Sequence, residues 1–117
     1  MGFTYIRIRV YSIDLAEYEE VEVLVDSGAL FTSIPRYILE RLGLKPVTRQ
    51  RLRVYGGVIE RDVGGGVVEY GGRRAVVPII FGEPGDIPVL GATALESLGY
   101  RVDPVSKELK PVELLMI

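Results

Sequence analysis

The run Leu24-Val25-Asp26-Ser27-Gly28-Ala29 places a carboxylate directly after an apolar stretch and follows it with a hydroxyl and a glycine. An aspartate at the end of a buried strand sits where core meets cleft, and burial there disfavours its charged form. Such a group is suited to taking up and returning a proton. Ser27 offers a hydroxyl within reach of the turn backbone. Gly28 admits backbone angles, or the approach of another chain, that a side chain would block. Taken alone, Asp-Ser-Gly is an ordinary Asx-type turn. The composition sharpens the choice, because the chain has no histidine and no cysteine. Ser-His-Asp and Cys-His arrangements are excluded, as are zinc sites of the usual kind. No metal and no cofactor is expected. Acid–base chemistry near neutral pH falls to carboxylates first, with Tyr and Lys behind them.

Two further groups of residues bear on Asp26. Val89-Leu90-Gly91 is a short apolar strand broken by a glycine and followed by helix-forming residues. Val54-Tyr55-Gly56-Gly57-Val58 reads as the tip of a hairpin, with Tyr55 directed either into a cleft or over the hairpin itself. Asp14, Asp62 and Asp86 stand in polar or loop contexts and are expected to be solvated. The glycine-rich stretches carry no Gly-Lys-Ser or Gly-Lys-Thr, so they do not form a phosphate loop.

The elements that must position these residues are mostly strands. Phe3 to Tyr11 alternates close to period two, and Glu20 to Val25 alternates and then becomes wholly apolar, as in a strand passing from half-exposed to buried. Ser12 to Tyr18 reads as a loop. Pro35 is placed as the first residue of a short helix, with Ile38, Leu39 and Leu42 on one face and Gly43 as its stop. Gln50 to Phe81 returns to strand patterning, with Gly56-Gly57 and Gly71-Gly72 as hairpin turns and Gly64-Gly65-Gly66 as a bulge or bend. Pro78 is expected near an edge or bulge. Ala92 to Leu98 reads as a second short helix stopped by Gly99, and Tyr100–Asp103 and Glu108–Val112 as terminal strands. The two strand–glycine–helix–Leu-Gly runs echo one another without forming a clean repeat.

With 117 residues, the chain is expected to form a single domain, 1–117. The net charge of −2 gives no case for nucleic acid or an anionic membrane. No apolar run approaches the roughly 18 residues of a membrane span. A cytoplasmic protein is the expectation.

In this order and spacing, the sequence resembles the retropepsin-like aspartic proteases over nearly its whole length, and especially their small prokaryotic cytosolic members. Leu24-Val25-Asp26-Ser27-Gly28-Ala29 matches the family signature, Val89-Leu90-Gly91 with its helix matches the second core motif, and the hairpin at Tyr55, Gly56 and Gly57 stands where the family places its flap. The resemblance implies a mostly β, closed-barrel acid-protease fold with one or two short helices, acting as a homodimer on a peptide or unfolded protein substrate. Asp26 would be the catalytic residue, paired with its own copy. Ser27 would bond across the dimer, and Gly28 and Ala29 would support the site and the substrate. The sequence departs from the family in having Ser27 for the commoner Thr, fewer glycines at the hairpin tip, and an apolar tail, Lys110 to Ile117. Chain ends form the dimer sheet in viral members. The alternative implied by the same fold is a catalytically inactive peptide-binding or oligomerisation module.

Overall fold

A computed structural model describes residues 3–113 of the chain. The first strand, β1 (Tyr5–Tyr11), pairs antiparallel with β2 (Tyr18–Val25), setting Ile8 opposite Val21 and Ile6 opposite Val23. The alternation of the sequence is the alternation of the faces: Ile8, Val10, Val21 and Val23 are buried, while Glu20 and Glu22 point to solvent. A short strand, β3 (Thr32–Pro35), precedes helix α1 (Arg36–Arg41). Sequence patterning passed over β3, and it changes the reading of Pro35. That residue is the extended N-cap of α1 (φ −53°, ψ 135°) and the last residue of β3, not the first helical residue. Beyond the helix, Gly43 takes φ 78°, the left-handed stop expected of it.

The long hairpins follow. β4 (Thr48–Val54) and β5 (Gly57–Tyr70) pair antiparallel around a two-residue turn at Tyr55-Gly56, so Gly57 opens the strand instead of completing the turn. β5 and β6 (Arg73–Gly82) are joined by Gly71-Gly72, whose φ values of 59° and 80° are both positive, as a tight hairpin turn that twists with its strands requires. Gly64, Gly65 and Gly66 lie inside β5 in unbroken register with Ile79, Pro78 and Val77, so no bulge forms there. Their smallness serves packing. A Cβ on Gly64 would stand 2.6 Å from the Lys45 carbonyl oxygen, and one on Gly66 would stand 3.0 Å from Ile79 Cδ1 and 3.2 Å from Leu44 Cδ1. Pro78 is the residue just before β6 begins its parallel pairing with β3 at Ile79, where a missing N–H is tolerated.

The strand β7 (Val89–Leu90) lies between β2 and β3, parallel to the first and antiparallel to the second. The seven-stranded sheet runs β1-β2-β7-β3-β6-β5-β4, and a second antiparallel contact joins β1 to β5 at Arg9↔Glu69 and Val10↔Val68. Helix α2 (Ala92–Leu98) ends at Gly99, φ 80°, and β8 (Tyr100–Val102) pairs with β9 (Leu109–Pro111) as a separate ribbon. The Val112 N–H also returns to the Gly99 carbonyl, so the described part of the C-terminal segment pairs within its own chain. The tail from Leu114 onward, expected at a dimer interface, lies outside the described residues. Ile34, Leu39, Val68, Ile79, Phe81, Leu90 and Leu98 belong to one buried cluster that both helices cover. Each such side chain contributes about 1.5–3 kcal/mol by leaving water.

Candidate active site

The loop that carries Asp26 is held from beneath by the strand–glycine–helix segment. The Asp26 N–H donates to the Leu90 carbonyl oxygen at 3.0 Å, which extends the β2–β7 ladder by one residue. Past the loop, the Ala92 N–H donates to the Ala29 carbonyl at 2.7 Å and the Thr93 N–H to the Leu30 carbonyl at 3.2 Å. Gly91 lies at the crossing. A Cβ there would be 2.4 Å from the Phe31 carbonyl oxygen and 2.9 Å from that of Ala29, so only glycine fits. The Gly91 N–H is satisfied by the hydroxyl of Thr32 at 3.1 Å, and Thr32 is buried.

Thr32 is a supporting residue that sequence reasoning missed, since the segment around it was not recognised as a strand. The available signal was the Thr32/Ile34 pair, two residues apart and both directed into the core.

The Asp26 carboxylate itself is exposed in the single chain, as are Ser27 and Gly28. The burial expected from the apolar Leu24-Val25 lead-in is absent, because those two side chains are themselves only partly buried where β2 runs out of the core. One carboxylate oxygen, Oδ1, accepts the Gly28 N–H at 2.9 Å, and the Ala29 N–H donates to the Asp26 carbonyl at 3.1 Å. The Asx-type turn is therefore present, made by Asp26 rather than by the Ser27 hydroxyl. It fixes the carboxylate's orientation. Among the described residues, no side chain hydrogen-bonds to the second oxygen, which stays open to a water or a second carboxyl.

The loop opens onto a groove of about 400 Å³ lined by Gly28 to Phe31 on one side, Arg51 to Val54 of β4 on the other, and Ile80. The wall opposite the loop is thus the hairpin predicted from its glycines. Tyr55 and Gly56 form its tip, and the Tyr55 side chain is fully exposed, lying neither in the groove nor over the hairpin. Leu30, Val54 and Val58 are exposed apolar residues on the loop and the hairpin.

Asp62 and Asp86 are ion-paired rather than simply solvated, whereas Asp14 is exposed, as expected. Asp62 receives Arg36 Nη2 at 2.6 Å and Arg49 Nη1 at 3.0 Å, and those guanidinium hydrogen bonds hold its carboxyl below the usual range. Arg61 grips Asp86 with both Nε and Nη2, at 2.8 and 2.9 Å, with the same effect. The Ser12 hydroxyl and, to a lesser degree, the Ala16 N–H donate to Asp14 and lower its carboxyl as well. These groups brace the hairpin and loops, and none lines the groove. Among the described residues no cluster of acidic side chains is arranged to hold a metal, and no helix is long and apolar enough to cross a membrane.

The fold is similar to that of a solved viral protease. The chain is similar to the simian foamy virus (mac) protease in its solution structure, with a TM-score of 0.55 and 18% identity over 79% of this chain and 91% of that one. At that identity the likeness is one of fold. No protein-family model and no curated protein matches the sequence.

Proposed function

We propose that the chain is one protomer of a homodimeric aspartic endopeptidase, its dyad formed by Asp26 and the partner subunit's Asp26. The observation that carries this reading is the Asp26 carboxylate itself: exposed, pinned through one oxygen by the Gly28 N–H, and set on a loop beside a groove. A two-fold axis through the Asp26 loop sets each residue against its own copy. Two carboxyls a few ångströms apart share one proton, and their titration belongs to the pair.

The ionised Asp26 takes a proton from a bound water as that water attacks the scissile carbonyl carbon. The protonated Asp26 donates to the carbonyl oxygen, giving a neutral gem-diol intermediate. Collapse of the intermediate transfers a proton to the departing amine, breaks the C–N bond and leaves the dyad with one proton again. Ser27 lies exposed beside the carboxylate, where its hydroxyl would brace the facing loop. The Tyr55-Gly56 hairpin would close over the peptide.

The test is cleavage of an unfolded protein from about pH 3 to pH 7, around carboxylate titration, by wild type beside Asp26→Asn. Cleavage that disappears in a folded Asp26→Asn, with a rate rising as the square of protein concentration below the dimerisation midpoint, is expected. A folded, dimeric wild type that cuts nothing would overturn the reading.

A further inference from the structure

Resting on that cleft assignment, we infer that the groove selects peptides with acidic side chains on alternate residues beside the bond to be cut. The charged residues lining the groove are Arg51 and Arg53, set among apolar residues and backbone. Both are exposed, and no ion pair reaches either of them among the described residues. Their neighbour Arg49 differs: it lies outside the groove lining and is paired with Glu60 and Asp62. Glu60, which faces Arg51 across the hairpin register, is thereby drawn to Arg49.

Arg51 and Arg53 are alternate residues of β4, so their side chains leave one face of the strand about 7 Å apart. That is also the repeat of alternate side chains on an extended peptide. β4 is the last strand of its sheet, so its outer edge is available for an extended segment to lie along. Two uncompensated guanidinium groups at that spacing match two carboxylates at positions i and i+2 of the peptide, each able to form a forked pair. Charge on an edge strand also deters edge-to-edge pairing between copies. That role requires no particular sign, whereas the proposal requires a positive one.

The experiment uses three fluorogenic peptides that share one backbone and differ at two alternate positions, which hold Glu, Gln or Lys. Hydrolysis is measured for the full-length wild type, Arg51→Gln/Arg53→Gln and Arg51→Glu/Arg53→Glu. Binding is measured by fluorescence anisotropy with Asp26→Asn as the host, and circular dichroism checks the fold of every variant. The Glu peptide is expected to exceed the Gln peptide in kcat/KM by about fivefold per carboxylate, the upper range for exposed ion pairs. That preference should shrink with added salt, vanish in the Gln variant and invert toward Lys in the Glu variant. Equal cleavage of all three peptides by wild type would overturn the charge selection and leave the protease reading intact. Charge-selective binding without hydrolysis would uphold the selection and overturn the protease reading. Neither binding nor hydrolysis would overturn both.

Discussion

The Gly91 N–H donates to the Thr32 hydroxyl at 3.1 Å, a buried bond between residues 59 apart in the chain. It joins the turn after β7 to the start of β3, the two segments that support the Asp26 loop. Removing the acceptor leaves a buried N–H with no partner. Thr32→Val should therefore cost about 1–3 kcal/mol, while Thr32→Ser keeps the bond and should lose less. Urea titration checks this through a lower midpoint with an unchanged slope; equal midpoints for Val and Ser would remove the hydrogen bond from the account.

Gly91→Ala tests the crossing itself. The new Cβ would meet two backbone carbonyl oxygens at 2.4 and 2.9 Å, and neither belongs to a side chain that can swing away. A loss of about 3 kcal/mol or failure to fold is expected. A soluble, folded Gly91→Ala with wild-type midpoint would show that the two segments are not packed this closely.

The glycine run in β5 allows a comparison between neighbours. A Cβ on Gly64 stands 2.6 Å from the Lys45 carbonyl oxygen, whereas one on Gly65 meets nothing nearer than the Val77 oxygen at 4.0 Å. Gly64→Ala should destabilise by about 1–3 kcal/mol, the cost of overpacking. Gly65→Ala should be neutral or stabilising by up to about 1 kcal/mol, since alanine narrows the unfolded ensemble. Thermal unfolding of the two variants side by side decides it, and the reverse order would refute the packing assigned to Gly64.

Asp62 and Asp86 make stability depend on pH. Their arginine partners depress the folded-state values below the ordinary aspartate value of 3.8. The stabilisation is thus fully present above that value and is lost as pH falls through the lower folded values. Arg61→Gln removes the largest cause for Asp86 and leaves the Glu83 N–H, so its acid limb of stability against pH should be shallower than that of wild type. Chemical denaturation at stepped acidic pH measures both limbs; identical slopes would mean that the Arg61–Asp86 pair contributes nothing.

Tyr55 separates folding from the proposed activity. Its side chain is fully exposed at the hairpin tip, so Tyr55→Ala should change stability by less than about 0.5 kcal/mol. If the hairpin closes over a peptide, the same change should raise KM severalfold. Steady-state kinetics on one peptide would show it, and an unchanged KM would take Tyr55 out of the closing hairpin.

Much of this arrangement was legible in the residues. The period-two alternation of β1 and β2 is the burial pattern itself, and Gly43, Gly71, Gly72 and Gly99 all take the positive φ that their placement implied. β3 was not legible, because its four residues run straight into a helix and a proline at their junction suits either element. The glycine run in β5 looked like a bulge or bend because sequence shows a missing side chain but not the Lys45 backbone and the Ile79 and Leu44 side chains that fill its place. The exposure of Asp26 was hidden for a related reason. Apolar neighbours along a strand predict burial only while the strand stays within the core, and β2 leaves it at Leu24.

The pairing of β7 with both β2 and β3 also sets an order of events during synthesis. Asp26 leaves the ribosome early, but the Leu90 carbonyl and the Gly91 crossing that support its loop are made much later. Contacts between such distant segments carry a loop-closure cost that local contacts do not, and folds dominated by them form in milliseconds to seconds. A nascent or truncated chain ending before Gly91 therefore carries the aspartate without its platform, and the chemistry proposed for Asp26 would begin only after that platform has been translated.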